Sequence, residues 1–290
     1  MPCVRLGWNA ILLKFLSYCW SVLTFTLLCG LSSAIGQEQK PSEGQNDNGG
    51  FMEVSMTFAA FESRFVDAPY HFGGLINIRL NYQWNGFFIE DKGLNGLGLP
   101  GLGYNFYNDQ RWSFDIYLSE IYGEIATDDA DTIGNEQRGL EGILPRNSDD
   151  RIGLRTTYYF DETSVLRVLV APFSDLKNQD IHLAMWYGKS WQRYNTNFHA
   201  IFSAQYDGAR TLDYFYGVAG TEVSDKFPAY QASSGFTLSA ELGVTYPLAK
   251  DWVLESSIKL IRLPSSVAHS PLVDPQVESF LQFSLVYVLF

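Results

Sequence analysis

The sequence predicts an all-β fold, an antiparallel transmembrane β-barrel of about 12 strands that follows a cleaved signal peptide. Three observations point there. After residue 50, apolar and polar residues alternate with period two in segments of about ten residues. Aromatics supply 16% of the chain against 18% charged residues and gather at segment ends, a pairing that burial in a soluble core does not explain. No segment after the N-terminal region carries enough consecutive apolar residues to cross a bilayer as a helix.

The chain begins with Arg5 and Lys14 ahead of an apolar stretch from Phe15 to Leu31, then Ser32, Ser33, Ala34 and Gly36. This is the order of an export signal, with cleavage after Ala34 or Gly36. The length of the apolar stretch also suits a retained anchor. Leu28 stands before Cys29, where a lipidation signal calls for a small residue. Cys3, Cys19 and Cys29 all fall in residues 1–36, so the mature chain has no thiol for a disulfide, a zinc cluster or nucleophilic catalysis. Without the signal, 18 basic residues face 32 acidic ones, a net charge of −14, and nucleic acid is excluded as a partner. Residues 37–50 are polar and Gly-rich without periodicity, the composition of a flexible periplasmic tail, and residues 51–290 form the barrel.

Strands are expected near 52–62, 74–84, 86–92, 100–107, 110–121, 150–160, 163–173, 180–190, 193–207, 233–246, 251–263 and 277–290. The sharpest pattern sets Phe236, Leu238, Ala240, Leu242, Val244 and Tyr246 against Thr237, Ser239, Glu241, Gly243 and Thr245. Similar faces recur with Ile76, Ile78, Leu80, Tyr82 and Trp84, and with Ile181, Leu183, Met185 and Tyr187. A soluble sandwich also alternates, but only a membrane barrel explains long strands, aromatic ends and charges opposite the apolar face together. With both termini periplasmic, the long links at 123–149, 208–232 and 264–276 all fall on one side. The tight turns, among them Asn85-Gly86 and Asn108-Asp109, all fall on the other. The chain closes on Phe290, the aromatic that the barrel-assembly machinery reads.

Three stretches resemble the MipA/OmpV family of outer-membrane proteins, also called MltA-interacting proteins. They are Tyr82 to Phe88 with Gly101-Leu102-Gly103-Tyr104-Asn105, then Asp213 to Gly235 with Tyr216, Gly217, Val218, Pro228, Ala229 and Tyr230, and finally Ser270-Pro271-Leu272-Val273. The chain departs from the family at Asp225-Lys226-Phe227, where Ser-Gly-Leu is more usual, and in the acidic link after Gly123. The resemblance implies a scaffold or adaptor whose partners are a lytic transglycosylase and a penicillin-binding protein, or a surface-binding protein. It brings no catalytic residue and no cofactor. The membrane pattern itself implies contact with outer-membrane lipid and lipopolysaccharide. A small outer-membrane channel is the alternative.

Arg79, Asp115, Arg155, Arg167, His182, His199, Glu241, Glu255 and Lys259 fall on inward faces and are expected to form a polar network inside the barrel. His182 and His199, on adjacent strands, raise a metal or acid–base centre with Glu241, set against simple membership of that network. The segment from Asp128 to Gly134 starts like a calcium loop, but Ile133 and Leu140 replace two oxygen ligands. The Gly-rich run from Gly93 to Gly103 lacks the Lys-Ser/Thr and the helix of a phosphate loop, and reads as a hairpin loop. Four histidines and no nucleophile motif give a lipid hydrolase no support, so neither a catalytic nor a metal site is expected.

Overall fold

A computed structural model describes residues 48–67, 71–91, 100–125, 139–177, 179–274 and 277–290. The export signal, most of the tail and the acidic segment from Asp128 to Gly134 lie outside the described residues.

Twelve antiparallel strands close into one barrel in sequence order. They are β1 Gly49–Phe61, β2 His71–Trp84, β3 Phe87–Glu90, β4 Gly101–Asn108, β5 Trp112–Tyr122 and β6 Asp149–Asp161, then β7 Ser164–Ser174, β8 His182–Arg193, β9 Thr196–Asp207, β10 Gly235–Pro247, β11 Trp252–Arg262 and β12 Val277–Val288. β1 pairs with β12, Thr57 facing Ser284, so the sheet has no free first or last strand. Closure satisfies backbone groups that a bilayer cannot hydrate.

The boundaries agree with the sequence pattern to within a few residues. At the first strand, Gly49 and Gly50, assigned above to the tail, pair with Gln83 and Tyr82. Gly101 and Gly103, at the end of the Gly-rich run, are strand rather than loop. A Cβ at Gly101 would lie 2.1 Å from the Tyr117 hydroxyl oxygen, and one at Gly103 would lie 2.1 Å from the Phe88 ring. Both glycines therefore make room for interior rings.

The wall is polar inside and apolar outside, the reverse of a soluble domain. Ile76, Ile78, Leu238, Leu242, Ile258, Leu260, Phe283 and Leu285 point outward and are exposed, while Ser55, Thr57, Asp115, Arg155, Thr157, Ser257 and Ser284 are buried within. So continuous an apolar belt is stable only against lipid. Trp84, Trp112, Trp191, Tyr246, Trp252 and Tyr287 stand exposed at the tight-turn ends of their strands, as interfacial rings do.

Candidate functional site

On the side opposite the tight turns, the long links fold into a cap with its own apolar core. Helix α1, Ala209–Tyr216, buries Thr211, Leu212, Phe215 and Tyr216 along one stripe. Leu140, Ile143, Val218, Phe227, Leu263, Val267 and Leu272 pack with that stripe, Val267 from the short helix α2, Ser265–Ala268.

The α1 N-terminus has no side-chain cap of its own, because Gly208 stands there. Asp180 serves instead, accepting the Arg210 amide at 2.8 Å and the Arg210 Nε at 2.7 Å. A Cβ at Gly208 would lie 2.1 Å from the Asp180 Cβ, so glycine is what lets the carboxylate approach. The Arg210 side-chain bond, seconded by the backbone amide, holds the Asp180 carboxyl below its ordinary pKa.

The family-like loop shapes this cap. Gly217 donates its amide to the Asp213 carbonyl at 2.8 Å, and a Cβ there would lie 2.4 Å from that oxygen. Val218 and Tyr230 exchange backbone hydrogen bonds at 2.9 and 3.0 Å. The Tyr230 hydroxyl donates to the Ser266 carbonyl at 2.6 Å, and Ser270 Oγ donates to the Tyr216 carbonyl at 2.7 Å. Two of the three stretches that carry the resemblance thus meet in one structure. Pro228 and Ala229 remain exposed at its surface. Where the chain departs from the family, Phe227 enters the cap core, and Lys226 reaches the Gly139 carbonyl at 2.7 Å and Asp67 at 3.0 Å.

A layer of buried polar contacts fastens the cap to the wall. Arg64 bonds both Glu278 on β12 and the Tyr216 hydroxyl of α1. The Tyr122 ring at the end of β5 stacks on Phe215 of α1 at 4.4 Å, while its hydroxyl ties wall to wall, donating to Asp207 of β9 at 2.8 Å, and the other Asp207 oxygen lies 2.8 Å from His182 Nδ1. Arg151, fully buried, pairs with Asp149 at 2.7 Å and reaches Thr211 of α1 at 3.1 Å. Arg146 in the cap pairs with Glu222 at 2.8 Å. Burial raises the Tyr216 phenol above its ordinary pKa, and the Arg64 guanidinium opposes that rise.

Inside the barrel the expected network falls into separate groups. Arg155 bonds Asp115 at 2.9 Å and both Glu90 oxygens at 2.9 Å, its guanidinium 4.8 Å from the Phe88 ring centre and 4.3 Å from that of Tyr117. Arg167 approaches Glu90 at 3.8 Å. Across the lumen, Arg79 bridges Glu53 at 2.8 Å and Glu255 at 2.9 Å. His199 Nε2 lies 3.7 Å from Glu241, whose register partner on β11 is Lys259.

The two histidines do not converge. His182 faces Asp207 at the cap end of β9, while His199 sits near the other end, about 26 Å along that strand at 3.3 Å per residue. Among the described residues, no three His, Cys, Asp or Glu side chains are grouped as a metal site. Phe290 stands two residues beyond β12 and is exposed.

Sequence reasoning missed Glu53, Glu90, Asp207 and Glu278, although each lies in an expected strand, where inward parity marks three of them. Arg64 and Tyr122, at strand ends or in links, carry no periodic signal.

An apolar belt around a closed polar barrel defines the class, an outer-membrane β-barrel protein. A family model described as MltA-interacting protein MipA matches residues 57–289. Outer membrane protein OmpV of Vibrio cholerae serotype O1 is 30% identical over 217 residues, covering 72% of this chain and 75% of that protein. The chain belongs to the MipA family. Similar solved structures include the KdgM porin (TM-score 0.38, 8% identity, 80% of this chain and 98% of that one) and the NanC porin (TM-score 0.44, 5% identity, 81% and 98%).

Proposed function

We propose that this chain is an outer-membrane scaffold or adaptor that works by binding partners around a shut barrel. One observation carries the reading: the loop-side mouth is covered by a cap with a packed apolar core, joined to the wall through Arg64, the Tyr122 ring and Arg151. A mouth closed in this way suits binding better than passage. The family's own description names a protein that interacts with MltA. On this reading the partner is a murein-cleaving lytic transglycosylase, together with a penicillin-binding protein.

Such enzymes work on the periplasmic side, where the tight turns lie on the proposed orientation. The export signal is removed there, and the polar tail leaves the barrel beside the first turn, where Asn48 accepts the Asn85 amide at 2.7 Å. The exposed belt meets lipid and, on the outer leaflet, lipopolysaccharide, and Phe290 serves as the signal for the assembly machinery. No catalytic role is assigned to any residue.

Pull-down from a detergent extract of outer membranes tests the scaffold. A lytic transglycosylase or a penicillin-binding protein should be retained, and loss of both would remove the reading. A second reading, a small channel, is favoured by the polar cavity inside the wall. It requires stepwise currents in planar bilayers that change when Arg155 or Glu241 is neutralised. A flat trace would sink it.

A further inference from the structure

The two sides of the lumen are filled differently. Along β4 to β8, Tyr117, Leu169, Ala184 and Trp186 pack together with Phe88. Along β1, β2 and β9 to β12 many of the lining residues are serine or threonine, and a cavity of about 260 Å³ remains. Its polar lining includes Ser55, Thr57, Asn77, Ser257, Gln282 and Ser284, with Arg79, His199, Glu241 and Glu255 among them. It lies toward the tight turns, since His199 and Glu255 are three residues from the turn-side starts of β9 and β11. Two rows nearer the cap, Phe61 and Phe280 stack at 5.5 Å. The volume equals that of about nine water molecules at roughly 30 Å³ each.

The His199 imidazole, which lines this space, packs directly against Gly243, where a Cβ would come 2.2 Å from His199 Cε1 and 2.4 Å from Nε2. Any side chain at position 243 would drive the ring off the wall.

We propose that this cavity binds a small neutral polyhydroxylated solute, of the size of a monosaccharide. The charged groups are already engaged with one another, Arg79 with Glu53 and Glu255, and Glu241 beside His199. An ionic ligand would have to break those pairs or sit against them, which is costly. Hydroxyl and amide groups make up most of the remaining lining, and they exchange hydrogen bonds readily with a polyol. Arg79 Nε is buried with no hydrogen-bond partner among the described residues, a spare donor for a ligand oxygen. The inference stands apart from the scaffold reading, because binding inside the lumen and capture of murein enzymes outside it are measured separately.

Saturation-transfer NMR on the full mature protein in detergent tests it, with glucose as the neutral probe and gluconate as its anionic counterpart. Glucose should give a saturable signal, with gluconate weaker by about ten-fold or more. Gly243→Ala should lose the glucose signal while the barrel keeps its heat-modifiable migration. If that variant does not fold, Gln282→Trp fills the same space from β12 and should have the same effect. No saturable glucose signal, a signal undiminished in a folded cavity-filling variant, or gluconate bound as tightly as glucose would each overturn the proposal.

Discussion

The barrel wall and the cap hold together by different physics. In the wall, every strand pairs with two neighbours and the apolar side chains face outward, so stability comes from backbone hydrogen bonding and the lipid around it. In the cap, the regular elements among the described residues are short, and the apolar side chains face inward around Phe215 and Leu212 as in a small soluble domain. A small core gives modest stability, and the cap leans on the wall through buried polar contacts. The two regions should therefore fail separately.

The largest separation is expected from Phe215→Ala. Phe215 is 1% exposed and stacks on Tyr122 at 4.4 Å, so its loss should cost the cap about 3–5 kcal/mol. Hydrogen exchange of the α1 amides should accelerate steeply, while the strand amides and the gel shift on heating stay as they are. If the whole barrel loosened to the same degree, cap and wall would be one cooperative unit.

The converse test strikes the wall. Ile258 points outward near the middle of β11, and Ile258→Arg should cost about 2–4 kcal/mol at the bilayer midplane. Urea unfolding in phospholipid vesicles reads this cost. The same substitution in detergent micelles should cost less, because the micelle admits water, and an equal cost in both would argue against a lipid-facing position.

A smaller effect is expected where the two regions join. Thr211→Val removes the α1 hydroxyl that accepts from Arg151 of β6 at 3.1 Å, and should cost about 1.5–3 kcal/mol. Arg151 stays with Asp149, so the wall should hold while the cap loosens. Limited proteolysis in the link 208–234 should speed up, and an unchanged cleavage rate would mean that Thr211 carries none of the load.

The difference between the regions also explains what the sequence disclosed. A strand with one face in lipid and one in a polar lumen writes its geometry into every second residue, which is why Leu238, Leu242 and Glu241 reveal β10 without help. The rule weakens where pairing is brief, and β3, four residues long, was expected over seven. It says nothing of the cap. Helix α1 runs only eight residues, about two turns, too short for a 3.6-residue period to stand out within a long link.

The interior polar positions were legible from parity, yet their partners were not. Parity places Arg155 in the lumen, whereas the choice of Glu90 depends on how far β3 extends and on where Gly101 and Gly103 admit the neighbouring rings. His182 and His199 looked adjacent because their strands are, and their antiparallel register sets them far apart. The family loop was visible as a motif, but its hold on Ser266 and Ser270 is a long-range contact with no local signal.

The smallest expected effect concerns the acid dependence of the cap. Asp180 caps α1 and pairs with Arg210, and its pKa in the folded protein lies below the ordinary 3.8. A depressed carboxyl stabilises the fold at pH values above its unfolded pKa, and that contribution fades as pH falls through the folded value. Asp180→Asn should therefore weaken α1 at neutral pH by no more than about 1 kcal/mol, as expected for a solvent-screened pair. The gap between variant and parent should begin to narrow near pH 3.8 and close only below the lower folded pKa, where the parent's own carboxyl is protonated. Helix-amide exchange measured across that range separates the outcomes. A gap that persists undiminished in acid would show that Asp180 acts through its shape and hydrogen bonds rather than its charge.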